Sequence, residues 1–160
     1  MLIIVCGLSG TGKTTVARLL AERMSAAHLR TDVIRKEVFA NPDYSEAEKE
    51  RVYELMFERV EQLLKNGPVV LDATFLKKQH RWTAEGLARA AGVQFYVIEA
   101  VCPEEIVKDR LAKRAGDASD ARFSEYLAQK KVLEPIQEIH LLVDTSKDLE
   151  GQIKNYPFIG

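Results

Sequence analysis

Cysteine, tryptophan and proline are scarce in this chain of 160 residues, which has two Cys, one Trp and five Pro. Cys6 and Cys102 are too few for a disulfide framework. Each sits in an apolar stretch, which predicts buried strand thiols. An excess of one charge is also missing. A net charge of −1 and a pI of about 6.3 provide no global positive field to gather nucleic acid, although a locally basic groove stays compatible with them. No apolar run is long enough to cross a membrane, and the opening MLIIVCG lacks the basic leader and length of a signal peptide. No membrane partner and a cytoplasmic location are therefore expected. Repeats, low-complexity tracts and linker-like stretches are absent as well, so one domain over 1–160 is expected. What is present is ordinary for a globular fold: 46% hydrophobic and 29% charged residues, enough for a core without staples.

Leu2 to Val5 form a β-branched run ending at Gly7, and from Lys13 the apolar period becomes helical through Val16, Leu19, Leu20 and Met24. His28 to Arg30 predict a second strand, with a helix from about Asp32 to Phe39. Asn41-Pro42-Asp43 breaks the chain, and Ser45 with Glu48 fits a capping box for the next helix. Further strands are predicted over 68–72, 93–101 and 139–143, with helices over about 77–91, 104–114 and 122–134 and a short one after Asp144. Alternating strands and helices predict an α/β fold: a three-layer P-loop NTPase arrangement, a five-stranded parallel sheet with helices on both faces and a small lid at about 114–124. Ligands in such sheets bind beyond the carboxyl ends of the strands, where Gly7, Asp32 and Asp72 are expected to line one mouth.

The strand–helix junction reads GLSGTGKT. Gly7, Gly10 and Gly12 let the backbone curl so that N–H groups point at phosphate oxygens. Lys13 reaches the β- and γ-phosphates, the Thr14 hydroxyl suits Mg2+, and the helix N-terminus adds positive potential. The nucleotide cradle is thus expected to comprise Gly7, Leu8, Ser9, Gly10, Thr11, Gly12, Lys13, Thr14 and Thr15.

A P-loop alone does not choose between kinase, ATPase, GTPase and motor. No Asn-Lys-x-Asp is present for guanine, and the only Asp-x-x-Gly, Asp148 to Gly151, follows the last strand. Asp72 is followed by Ala73 and not by a water-activating Glu, and the length leaves no room for a motor's second lobe. Transfer to an acceptor hydroxyl remains, which needs a carboxylate near the acceptor and cations around the phosphoryl group. Asp32 and Arg35, three apart on one helix, offer both; an Asp at a helix N-terminus with a local ion pair is the plainer reading. Arg110 and Arg114, four apart before the polar AGDASDA, suit a lid that carries guanidiniums onto the triphosphate; the plainer reading is a solvated basic helix end.

In order along the chain, GLSGTGKT, TDVIRKEV, VVLDATFLKKQHR, VKDRLAKRAGDASDA and VDTSKD resemble the P-loop kinases of the zeta-toxin and phage-type polynucleotide kinase group. Gluconate, shikimate and adenylylsulfate kinases are similar at greater distance. The resemblance implies that Asp32 is the general base and Arg35 an acceptor or phosphate contact. It implies that Arg110 and Arg114 are lid arginines, and that Asp72 faces the acceptor or the outer shell of Mg2+. Thr145 to Asp148 resemble a loop that packs on adenine. After Asp72 the sequence departs from the phage-type enzymes: Ala73-Thr74-Phe75-Leu76 replaces a more polar run, and no phosphatase domain follows.

The expected activity is an ATP- and Mg2+-dependent transfer of the γ-phosphate to a hydroxyl acceptor, either a small molecule or a polynucleotide 5′-hydroxyl, with nucleic acid not favoured. A non-catalytic ATP-sensing module acting through a partner protein is the alternative. Lys77, Lys78, His80 and Arg81 form a basic cluster that fits either phosphate groups of an anionic acceptor or a solvated helix start. Trp82 is expected in the core, and structural roles are expected for His28 and His140.

Overall fold

A computed structural model describes residues 1–114, 122–154 and 156–158. Most of the expected lid lies outside them. Five strands, β1 (Leu2–Cys6), β2 (Ala27–Arg30), β3 (Val69–Asp72), β4 (Phe95–Val101) and β5 (His140–Asp144), form one parallel sheet in the order β2-β3-β1-β4-β5. The helices are α1 (Lys13–Met24), α2 (Thr31–Val38), α3 (Glu46–Leu63), α4 (Lys78–Ala90), α5 (Glu104–Lys113), α6 (Phe123–Val132) and α7 (Leu149–Ile153).

The layering follows from the two-residue period of β1, whose side chains alternate between faces. Leu2, Ile4 and Cys6 pack with Val52, Met56 and Val60 of α3 and Ala84 and Ala88 of α4. Ile3 and Val5 pack on the other face with Val16, Ala17 and Leu20 of α1 and Ile153 of α7. Both faces are covered, so β1 reads as an unbroken apolar run rather than an alternating one. A smaller cluster joins Leu8 of the glycine loop to Val107, Leu111 and Tyr126, which anchors that loop on α5 and α6. No helix among the described residues is long and apolar enough to cross a membrane.

The cap at Ser45 forms only in part as expected. Its hydroxyl accepts from Glu48 N at 3.2 Å. The Glu48 carboxylate does not return to Ser45 N; it accepts from Asp43 N at 2.7 Å, while Ser45 N donates to Asp43 Oδ1 at 2.9 Å. Glu48 is thereby free to use its second oxygen on Arg35, across from α3 to α2.

Candidate active site

A cleft of about 890 Å3 opens at the carboxyl ends of β1, β2 and β3, within the range of small-ligand sites. Ser9, Gly10, Gly12, Lys13, Thr14 and Thr15 line it, together with Asp32, Arg35, Asp72 and Arg114. The remaining loop residues face inward. A Cβ on Gly7 would lie 2.4 Å from the Ala100 carbonyl oxygen, and the Thr11 hydroxyl donates to Leu8 O at 2.8 Å. Gly10 and Gly12 adopt φ of 81° and 88°, the left-handed region that glycine enters without strain and that lets the loop turn sharply.

Lys13 Nζ donates to Leu8 O at 3.0 Å, folding the side chain back over the loop. Burial lowers its pKa, and the carboxylates of Asp72 and Asp32 oppose that shift. Both carboxylates therefore act on the lysine that would meet the phosphates. The loop is also clamped from the far end of the chain. Ser9 N donates to Gln129 Oε1 at 2.8 Å, and Gln129 Nε2 donates to Ser9 Oγ at 2.9 Å. Spacing along the sequence gave no sign of this contact, because it joins α6 to a loop 120 residues away.

Asp72 ends β3 in a buried position, where the Thr14 hydroxyl donates to Oδ2 at 2.6 Å. His28 Nε2 and Arg30 Nε lie 3.6 and 3.4 Å from the same oxygen. Burial would raise the Asp72 pKa, but the His28 ring, the Lys13 ammonium and the Thr14 hydroxyl together hold it below the ordinary carboxylate value. An ionised carboxylate touching the loop threonine is a donor set that fits magnesium, which takes few protein ligands and completes its shell with phosphate and water. Among the described residues no group of three or more His, Cys, Asp or Glu could hold a metal alone, so phosphate oxygens would have to contribute. His28 and Arg30 were not legible as partners of Asp72, since only the β2–β3 register, with Arg30 beside Asp72, brings them there.

Asp32 and Arg35 meet as the helical spacing requires: Arg35 Nη1 lies 3.3 Å from Asp32 Oδ1. Arg35 is far more constrained than a local pair would make it. Its Nε sits 2.8 Å from Glu48 Oε1 as a close ion pair, and its guanidinium lies 4.9 Å from the centre of the Tyr44 ring. Arg35 is buried while the Asp32 side chain keeps 34% of its surface exposed, so the carboxylate is held at the cleft wall and open to it.

The two expected lid arginines separate. Arg114 lines the cleft and lies close enough to Lys13 to lower its pKa. Arg110 is instead bound to the loop after β5, donating to Thr145 Oγ1 at 2.8 Å and to Thr145 O at 2.9 Å. Thr145 in turn donates to Thr11 O at 2.6 Å. Residues four apart share a helical face only while the helix lasts; α5 ends at Lys113, and Arg114 has already turned to extended backbone.

Lys77, His80 and Arg81 of the basic cluster after Asp72 are paired with glutamates from elsewhere in the chain. Lys77 Nζ lies 2.6 Å from Glu50 and 3.0 Å from Glu46, and His80 Nε2 lies 2.8 Å from Glu50 Oε2. His80 and Lys77 hold the Glu50 carboxyl below its ordinary pKa. Lys78 covers the Trp82 ring, and Arg81 is fully buried, binding Glu138, Phe75 O and Pro135 O. Trp82 is half exposed and not in the core, because α4 turns His80, Arg81, Ala84 and Ala88 inward and places Trp82 off that face. Tyr53, unremarked in the sequence, stacks on His80 at 3.7 Å and accepts from Phe75 N at 2.9 Å. His140 pairs with Glu99 across β4 and β5 at 3.1 Å.

Comparison with known proteins bears on the fold and the family. A protein of Mycobacterium tuberculosis described only as uncharacterized is 33% identical over 135 residues, covering 75% of this chain; the chain spans 27% of that relative's length. A cytidylate kinase of Methanocaldococcus jannaschii is 28% identical over 94% of this chain and 92% of its own. Among solved structures, a sugar kinase from Janibacter shares 19% identity and a TM-score of 0.72 over 96% of this chain and 90% of its own. The Mycobacterium tuberculosis APS kinase CysC, complexed with AMPPNP and APS, shares 21% identity and a TM-score of 0.71 over 94% and 91%. Chaetomium thermophilum Kti12, complexed with ADP-AlF3, shares 21% identity and a TM-score of 0.75 over 95% and 93%. At such identities the structural likeness shows the fold, which is that of P-loop kinases. The family described as an AAA domain matches residues 2–136, most of the chain, and the protein belongs to that P-loop, kinase-like family.

Proposed function

We propose that the protein transfers the γ-phosphoryl group of ATP to the hydroxyl of an acceptor bound at the Asp32–Arg35 end of the cleft. The observation that carries this reading is that one cleft holds residues of the glycine loop, the Thr14–Asp72 contact and a half-buried carboxylate braced by a buried arginine. Lys13 and the loop amides bind phosphate. Thr14 and Asp72 would hold Mg2+, which supplies charge neutralisation between the phosphates. Asp32 accepts the acceptor's hydroxyl proton as its oxygen bonds to the γ-phosphorus and the bond to the β-phosphate oxygen breaks, releasing ADP. Arg35, fixed by Glu48 and Tyr44, orients Asp32 and the acceptor. Arg114 meets the transferring group, and Arg110 holds the loop from Thr145 on the base side of the nucleotide.

The test is Asp32→Asn. Retained ATP affinity is expected by calorimetry, with transfer to acceptor reduced by roughly two to four orders of magnitude. Full transfer by this variant would remove Asp32 from the mechanism. ATP binding with no transfer by the unaltered protein to any hydroxyl acceptor would favour an ATP-sensing module instead.

A further inference from the structure

The acceptor end of the cleft is built from the first turns of α3 (Glu46, Lys49, Glu50 and Tyr53) and from Lys77 and His80 around the start of α4. A site for a phosphorylated or otherwise anionic acceptor needs cationic N–H groups aimed at the ligand, best supplied by a guanidinium fork. Here the cations are turned onto carboxylates. Lys77 bridges Glu50 and Glu46, Lys49 lies 2.9 Å from Glu46 Oε1, and Arg35 lies between Glu48 and Asp32. The side chains of Glu46 and Glu50 stay 67% and 45% exposed and those of Lys49 and Lys77 43% and 45%, so the lip meets an incoming anion with paired charges and no cationic excess.

The same arrangement suits hydroxyl groups. A hydroxyl donates to a carboxylate lone pair and accepts from an ammonium proton, so a paired Lys and Glu can take both sides of it. Lys77 uses two of its three protons on Glu50 and Glu46, and Glu50 places one oxygen on Lys77 and the other on His80, each with a lone pair left. Tyr53 and His80, both buried and stacked on each other, form the floor beneath these groups.

We propose that the acceptor is an uncharged, hydroxyl-rich small molecule of the polyol class, recognised by Glu46, Glu50 and Lys77. This rests on the kinase reading above. It is tested with the whole protein and γ-labelled ATP on neutral polyols and sugars, their phosphorylated and acid counterparts, nucleoside monophosphates and 5′-hydroxyl oligonucleotides. The expected result is transfer to a neutral member, with kcat/KM about a hundredfold above that of its anionic counterpart. Preference for any anionic member overturns the acceptor class and leaves the kinase reading intact. Transfer to none, with ATP binding measured by calorimetry, overturns both.

Glu50→Gln gives a second readout. The KM of the neutral acceptor is expected to rise about tenfold, with kcat and the KM of ATP little changed, as for loss of one charge-assisted hydrogen bond. A lower KM for an anionic acceptor in Glu50→Gln fits the same reading, as relief of repulsion, whereas an unchanged KM for the neutral acceptor would overturn the proposal even where both acceptors react.

Discussion

Cys6 and Asp72 end neighbouring strands, with Val5 of β1 in register beside Asp72 of β3, yet their ionisation is driven in opposite directions. Asp72 is surrounded by donors and cations that keep it charged. Cys6 donates to Ile98 O at 3.3 Å, and burial, reinforced by Glu99, pushes its thiol from 9.0 up to about 12. The native state therefore favours the thiol. The stability this gives is fully present below the unfolded pKa and is lost as pH rises from 9.0 toward 12. At about pH 8, Ellman's reagent is expected to titrate the half-buried Cys102 and spare Cys6 until guanidinium unfolds the chain. Rapid reaction of both thiols in the native protein would contradict the burial of Cys6. The buried position of Cys6 was readable from its apolar strand. The protection of Asp72 was not, because His28 and Arg30 reach it only through the pairing of β2 with β3.

Among the elements, α6 does more than its sequence suggests. Its pattern predicts a helix and little else, but Gln129 exchanges two buried hydrogen bonds with Ser9 and receives support from Glu125. Gln129→Ala would leave the buried Ser9 amide without its acceptor, a loss of about 1–3 kcal/mol. The ATP KM of this variant is expected to rise about tenfold, more than kcat falls, because Gln129 holds Ser9 in place within the proposed phosphate cradle. Steady-state kinetics, beside a Ser9→Ala variant that loses only the hydroxyl half, checks this. An unchanged ATP KM would make the clamp purely structural. The first turn of α4 teaches the converse lesson. Four basic or titratable residues in five positions fit either an anion site or a solvated helix start, but Glu46, Glu50 and Glu138 pair with three of them, and Trp82 packs under the fourth.

For the molecule as a whole, the glycine loop ties the layers together: Leu8 packs on α5 and α6, Thr11 accepts from Thr145 after β5, and Thr14 meets Asp72 of β3. A ligand filling this loop should therefore stabilise the entire fold and not one corner. A non-hydrolysable ATP analogue at about a hundred times its Kd stabilises the native state by about 2.7 kcal/mol. For a chain of this size that is a rise in Tm of roughly 5–10 °C. Differential scanning fluorimetry is expected to show the shift in the unaltered protein and its loss in Lys13→Ala. An unaltered protein with no shift at saturating analogue would argue against nucleotide binding at this loop.

The order of strands and helices, the glycine loop and the pairing of Asp32 with Arg35 were determined by the sequence itself. Each depends on residues within a few positions of one another, where backbone geometry fixes who meets whom. The three-layer arrangement followed as well, since unbroken apolar strands alternating with helices can bury both sheet faces in few ways. Tertiary structure alone decided which charges are spent on one another. It moved Arg110 onto Thr145 while leaving Arg114 in the cleft, and it drew Gln129 onto Ser9. It also set Lys77 and His80 against the glutamates of α3. Those contacts join segments tens of residues apart, and Coulomb energy depends on distances that no local spacing encodes. The glycine loop was therefore legible from GLSGTGKT, while the charge pairing along the far side of the cleft emerged only once α3 and α4 lay side by side.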